Sequence, residues 1–245
     1  MSVSRTKQFF ITFIAFLAIG IPFMVMVIVE RFTGIRPVNA IPPVAGLLFG
    51  PVGAIASGIA NIFVDLFGTF GASSVLGIIA NFIAALLPFR LWHLFSNEPP
   101  NMHSIKNILL YIGVCLVSAL TVAWFLSFGL YTFFGVWIVD IYILVFFNNF
   151  GFSVAFGMPI LIILTSDSVS IICRKPMPHI LLRGFGVAGG QAYRKTYVRN
   201  IVCGVYAVVM LVICVSVFIG LCPQEDVWLH AFSAVSLAGL IVQLI

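Results

Sequence analysis

The sequence predicts an all-α, polytopic membrane protein, and three observations carry that prediction. Of the 245 residues, 62% are hydrophobic and only 8% are charged, whereas a soluble domain carries about 25% charged residues. Mean hydropathy is +1.21. Apolar runs long enough to cross a hydrocarbon core recur along the whole chain, separated by short polar turns. The same composition excludes function classes. The formal net charge is +5, and its basic residues fall in short loops between apolar runs. There they set topology and contact lipid headgroups rather than form a nucleic-acid-binding face. Five cysteines show no CxxC spacing and no paired histidines, so neither a metal site nor a disulfide framework is expected. The chain has no HExxH, no GxSxG and no carboxylate pair beside a histidine, so neither enzyme chemistry nor a cofactor is expected.

Taken in order, the first span is expected at about Phe9 to Val29, too long for a signal-peptide core and followed by no small-residue cleavage site. The second runs from about Pro43, which suits a helix start, to Val64, with a bend or break at Pro51. The third covers about Ala72 to Leu94 and ends at the polar turn Asn97-Glu98-Pro99-Pro100-Asn101. The fourth runs from about Ile105 to Leu130. The stretch Tyr131 to Ser170 would be about 60 Å long as one helix, twice the hydrocarbon thickness. It is therefore split at Asn148-Asn149-Phe150-Gly151 into a fifth span (Phe133 to Phe147) and a sixth (Phe152 to Leu164).

A basic loop, Arg174 to Arg199, precedes a seventh span (Ile201 to Leu221), the acidic turn Pro223-Gln224-Glu225-Asp226 and an eighth span from Val227. This divides the chain into a six-span core (1–172), a basic cytoplasmic loop (173–200) and two further spans (201–245). Counting basic residues on each side offers a second reading. Eight spans with the N-terminus inside leave Arg31, Arg36, Arg90 and Lys106 outside, whereas seven spans with the N-terminus outside leave only Arg5 and Lys7 there. Helix length favours eight spans and charge favours seven.

One stretch, Arg36 to Trp92, organises the rest. Gly46, Gly50, Ala54 and Gly58 fall four residues apart, which on one helix makes a stripe where another backbone can approach closely. Asn61 and Asp65 follow, so the smooth stripe runs into costly polar side chains that mark a site or a packing partner. The pattern Pro42-Pro43, Gly46 to Ala54, Gly58, Asn61, Asp65, continued by Gly77 to Phe82 and Leu87 to Trp92, resembles the substrate-binding S components of energy-coupling-factor (ECF) vitamin transporters. The resemblance implies a six-span fold over residues 1 to about 172 and capture of a vitamin or similar micronutrient from outside. It further implies a loop from Arg31 to Pro42 that orders over the ligand, and energy supplied by a separate coupling membrane subunit and an ATPase pair. The family's first helix often docks on the coupling subunit through small residues four apart, and Ala15, Ala18 and Gly20 are not in that register.

The candidate substrate-binding residues are Asn39, Asp65, Asn81, Trp92, Asp140, Tyr142, Asn148 and Asn149. Asp65 and Asp140 are ionisable groups in apolar runs. Asn81 needs a hydrogen-bond partner within its span. Trp92, beside His93, offers a ring that could stack on a flat heterocycle or anchor at the interface. Asn39, Asn148 and Asn149 occupy expected turns beside the site, with the ligand read chiefly around Asp140 to Asn149. Gly184 to Gly189 matches GxGxxG but lacks the flanking strand and helix of a dinucleotide site, so it reads as a flexible loop. Gly71-Ala72-Ser73-Ser74 resembles an intramembrane serine site only superficially, since a nucleophile needs a base in reach and the sequence identifies none. An alternative function is a membrane sensor, passing a ligand signal through the two last spans to a domain beyond Ile245.

Overall fold

The computed structural model describes residues 4–29, 33–68, 70–135, 139–166, 197–220, 235 and 238–239. The chain is an all-α membrane protein: among the described residues five helices are long and apolar enough to cross a bilayer, and a two-stranded antiparallel pair, Val27–Val29 with Thr33–Gly34, is the exception to helix there. Helix α1 (Arg5–Gly20) starts where the Ser4 hydroxyl accepts the Lys7 N–H at 3.3 Å. It is shorter than the expected first span, giving way to a 3-10 turn at Ile21–Phe23 and then to the hairpin.

The expected second span is two helices. A 3-10 turn (Pro37–Ala40) leads into α2 (Ile41–Phe49), and α3 (Pro51–Asp65) follows after a single residue. Gly50 makes the reversal with φ +59° and ψ −134°, a conformation open to glycine because it lacks Cβ. Pro51 therefore does not bend a long helix; it opens a new one. The two arms fold back on each other. A Cβ on Gly53 would lie 2.3 Å from the Ala45 carbonyl oxygen, and Arg36, just before the first arm, meets Asp65 at the end of the second.

Both arms pack on α4 (Ser74–Phe95). A Cβ on Gly46 would fall 1.8 Å from the Ala85 carbonyl oxygen, and one on Gly58 would fall 2.9 Å from that of Ile78. Gly50 faces the Phe89 ring, and Ala54 is fully buried in a cluster with Ala85, Leu86 and Phe89. The four small residues thus do permit close backbone approach, but not as one stripe on one helix. The chain reverses at Gly50, and the common surface exists because both arms meet the same neighbour.

Helix α5 (Ile105–Phe134) begins at the Ser104 cap, whose hydroxyl accepts the Asn107 N–H at 3.2 Å. It ends at Gly135, left-handed with φ +65°. The long apolar stretch therefore divides at Gly135, not at Asn148 to Gly151. Helix α6 (Val139–Phe152), a π-turn (Ser153–Gly157) and α7 (Met158–Thr165) form one continuous helical run. Inside it Asn148 and Asn149 are helical, which corrects their expected place in a turn. The π-turn lets Gly157 approach the Ala40 carbonyl and Tyr111, and the Tyr111 hydroxyl donates to the Ser153 carbonyl at 2.8 Å. Helix α8 (Tyr197–Phe218) lies against α5 and α6, with the Tyr206 and Thr121 hydroxyls 2.7 Å apart. The basic loop up to residue 196 and most of the expected eighth span lie outside the described residues, as does the domain division at 172, while the division at 200 falls inside α8.

Candidate functional site

The chain's reversals bring one end of the bundle together around polar side chains. Gly20, at the end of α1, sits against Val38 and Val64, so the end of α1, the start of the hairpin and the end of α3 share a level with the start of α4. Antiparallel packing of α4 with α5, read from Leu76 against Gly129 and Ser118 against the Ala84 carbonyl, adds the end of α5. A cavity of about 60 Å³ opens there. Its polar lining is Arg36, Asn39, Asp65, Ser73, Ser74, Asn81, Asn148 and Asn149. Its apolar lining includes Val122, Leu126 and Leu130 from α5, with Ile141 and Val145 from α6, the helix that also carries Asn148 and Asn149.

The polar lining is a chain of bonds. Arg36 Nη2 donates to Asp65 Oδ1 in an ion pair whose side chains are 16% and 5% exposed. Asn61 Nδ2, one turn earlier on α3, donates to Asp65 Oδ2 at 2.8 Å. Asn81 Nδ2 on α4 donates at 3.0 Å both to Asn61 Oδ1 and to the Gly77 carbonyl. Gly77 is small for a reason that is local: a Cβ there would lie 2.7 Å from Asn61 Nδ2. The loop is tied to α6 through Asn148, which accepts the Arg36 backbone N–H at 3.3 Å and donates to the Gly34 carbonyl at 2.7 Å. Asn149 donates back to the Val145 carbonyl at 2.9 Å, and Ser153 Oγ reaches the Asn39 carbonyl at 3.4 Å. Isolated charges in a membrane interior are expensive, and here each charge has an opposite partner and the carboxylate accepts the Asn61 amide besides. No family model, curated protein or solved structure matches the chain.

Five of the eight expected site residues line the cavity: Asn39, Asp65, Asn81, Asn148 and Asn149. Three do not. Trp92 is fully buried near the opposite end of α4, its indole N–H donating to the Glu98 carbonyl at 2.9 Å. Asp140 is exposed at the start of α6, so the cost argument that singled it out does not apply. Tyr142 is fully buried in the hydrophobic core and is not part of the lining.

Sequence reasoning treated Arg36 as a topology charge and missed its role. Half of the signal was present: Asp65 in an apolar run needs a cation, but a second span read between the two residues put Arg36 on the opposite side. Ser73, Ser74 and Gly77 carried a weaker signal, their place one to two helical turns before Asn81.

Proposed function

We propose that this chain is a membrane-embedded substrate-binding subunit that takes up a vitamin or similar micronutrient and is energised by separate coupling and ATPase subunits. The observation that carries the reading is the cavity whose lining combines an ion pair and amide network with aliphatic side chains. Small-molecule sites combine a mostly apolar lining with a few placed polar groups in this way. Charge supports an outward orientation. Arg5, Lys7, Arg90 and Lys106 lie toward the end away from the cavity. Thr165, after which the basic segment begins, is there too, bonded to His103 at 3.1 Å. Arg36 at the cavity end is neutralised by Asp65. By the positive-inside rule the cavity then faces away from the cytoplasm, and a bacterial plasma membrane fits the resemblance to ECF S components. At about 60 Å³ the cavity holds water-sized guests, so a vitamin-sized ligand enters only when lining side chains move.

Mass spectrometry of small molecules co-purifying with the full chain tests the reading. We expect a bound organic molecule that is lost from Asp65→Ala and from Asn81→Ala. A molecule retained equally by both variants would place binding elsewhere. A second reading, a sensor, draws on the contact of α8 with α6 through the Phe218 ring against Phe146 and Phe147, which joins an extra helix to the one carrying Asn148 and Asn149.

A further inference from the structure

We infer that the ligand of this cavity is electrically neutral and presents a lactam, ureide or carboxamide edge, a carbonyl beside an N–H, which the Asn39 side-chain amide pairs at both points. The inference rests on the cavity being a ligand site.

Asn39 leads to it. The residue is only 6% exposed. Its backbone is bonded at both polar atoms: the N–H donates to the Arg36 carbonyl at 3.0 Å, and the carbonyl accepts the Ser153 hydroxyl at 3.4 Å. The 3-10 turn thus fixes where the side chain starts. The side-chain amide itself makes no hydrogen bond among the described residues. Unlike the hydroxyls of Thr12 and Ser57, which are sealed in the packing without a partner, it stays open to the cavity it lines. An unpaired amide at this burial is costly, so a group kept there is suited to a partner from outside the chain. Water can satisfy it until a ligand takes its place. A primary amide sets N–H beside C=O, whichever way round the group is turned. Its full counterpart is a second amide edge running the other way, which makes two parallel hydrogen bonds. An alcohol or ether satisfies one half of it.

The rest of the lining sets the charge. Its charged residues are one of each sign, Arg36 and Asp65, and they are bonded to each other. A ligand anion meets the Asp65 carboxylate at like charge, and a ligand cation meets the Arg36 guanidinium at like charge. A neutral ligand leaves the pair closed. The hydrogen-bonding capacity that remains is uncharged and of both kinds. Asn81 gives both N–H groups to protein oxygens and keeps its Oδ1 to accept. Asn148 and Asn149 each keep one N–H to donate. Ser74 Oγ accepts the Gly71 N–H at 3.2 Å and keeps its own proton, and Ser73 adds a second hydroxyl. Such a lining fits a ring whose edge alternates N–H and C=O, with Leu126, Leu130 and Val145 against its apolar part.

Thermal unfolding of the full chain in detergent tests this with four probes that share a benzene ring. Isoindolinone carries a lactam, N-methylisoindolinone lacks its donor, benzamidine is a cation and benzoate an anion. We expect isoindolinone to raise the midpoint saturably and the other three to leave it unchanged. Asn39→Leu should weaken isoindolinone by about tenfold or more, through loss of both hydrogen bonds. Without probe, the midpoint of that variant should stay level or rise, because no hydrogen bond within the protein is lost. If it does not fold, Asn39→Ala serves the same purpose. An asparagine with only a structural role gives the reverse, a lower midpoint without probe and an undiminished shift, and that result overturns the inference. Equal stabilisation by N-methylisoindolinone overturns the amide edge. A larger shift with benzamidine or benzoate overturns the neutral class. Failure of all four probes also overturns the inference. A co-purifying molecule lost from Asp65→Ala then leaves the binding-site reading standing, whereas no retained molecule ends both.

Discussion

At the scale of single residues, the Arg36–Asp65 pair governs this end of the molecule. Removing one partner of a buried pair leaves the other charge uncompensated, at a cost of about 3 kcal/mol. Arg36→Gln and Asp65→Asn should therefore each lower the thermal midpoint in detergent. The double variant should lose less than the two single losses added together, because neither charge is then stranded. Strict additivity would mean that the two side chains do not depend on each other. The polar half of this arrangement was legible in the sequence: Asn61, Asp65 and Asn81 stand out in apolar runs because hydrocarbon tolerates few such groups. Arg36 was not, because a basic residue in a loop has a sufficient topological explanation and pairing over 29 positions leaves no periodic trace. Asp140 misled for the opposite reason: an apolar neighbourhood in sequence suggested burial, and a helix start put the side chain outside.

At the scale of elements, the α2–α3 hairpin depends on backbone proximity that any side chain would disturb. Gly46→Ala places a methyl 1.8 Å from a backbone oxygen that cannot rotate away. We expect it to destabilise by about 3 kcal/mol or to prevent folding, the upper range for overpacking. Gly58→Ala, at 2.9 Å, should cost less, and Gly113→Ala, with nothing within 4 Å, should leave the midpoint unchanged or slightly raised. Unfolding midpoints of the three variants in one detergent check the order, and a Gly46→Ala protein as stable as Gly113→Ala would refute the close approach. The small residues were visible as a four-residue period, yet the period belongs to two helices. A glycine that reverses the chain and a glycine that packs a helix are the same letter. The backbone angle that tells them apart arises only once α4 offers both arms a surface. The division at Gly135 rather than at Asn148-Asn149-Phe150-Gly151 has the same origin. Asparagine and glycine mark turns in water, whereas Asn148 and Asn149 find carbonyl partners inside the bundle and stay helical.

At the scale of the whole molecule, the fold class was the most legible feature, since hydropathy over 245 residues admits no soluble alternative. The order of crossings was less so. Counting α2 and α3 as separate arms and α6 to α7 as one run puts the N-terminus and the Ser96 to Ser104 turn at one end, and the Leu66 to Ser73 connection at the other. Single cysteines in a background lacking native ones test this arrangement. Those at Ser4 and Asn97 should react with an impermeant maleimide from the same side of sealed vesicles, and one at Ala72 from the opposite side. Labelling of positions 72 and 97 from one side would refute it. The hairpin arms also differ from their neighbours in length. The nine residues of α2 with its four-residue 3-10 lead, and the fifteen of α3, rise only about 20 Å each, against about 45 Å for the thirty of α5. Helix α2 is wholly buried, but α3 turns Ile55, Ile59 and Phe63 outward to lipid. The protein therefore presents a belt of uneven height, and the bilayer must thin beside α3 while α5 tilts or protrudes. Hydrophobic mismatch makes acyl-chain length a variable of the cavity itself, since α3 carries Asp65 at its end. Shorter-chain lipids should raise the thermal midpoint in reconstituted membranes relative to longer ones, through the side of the molecule that holds the ion pair.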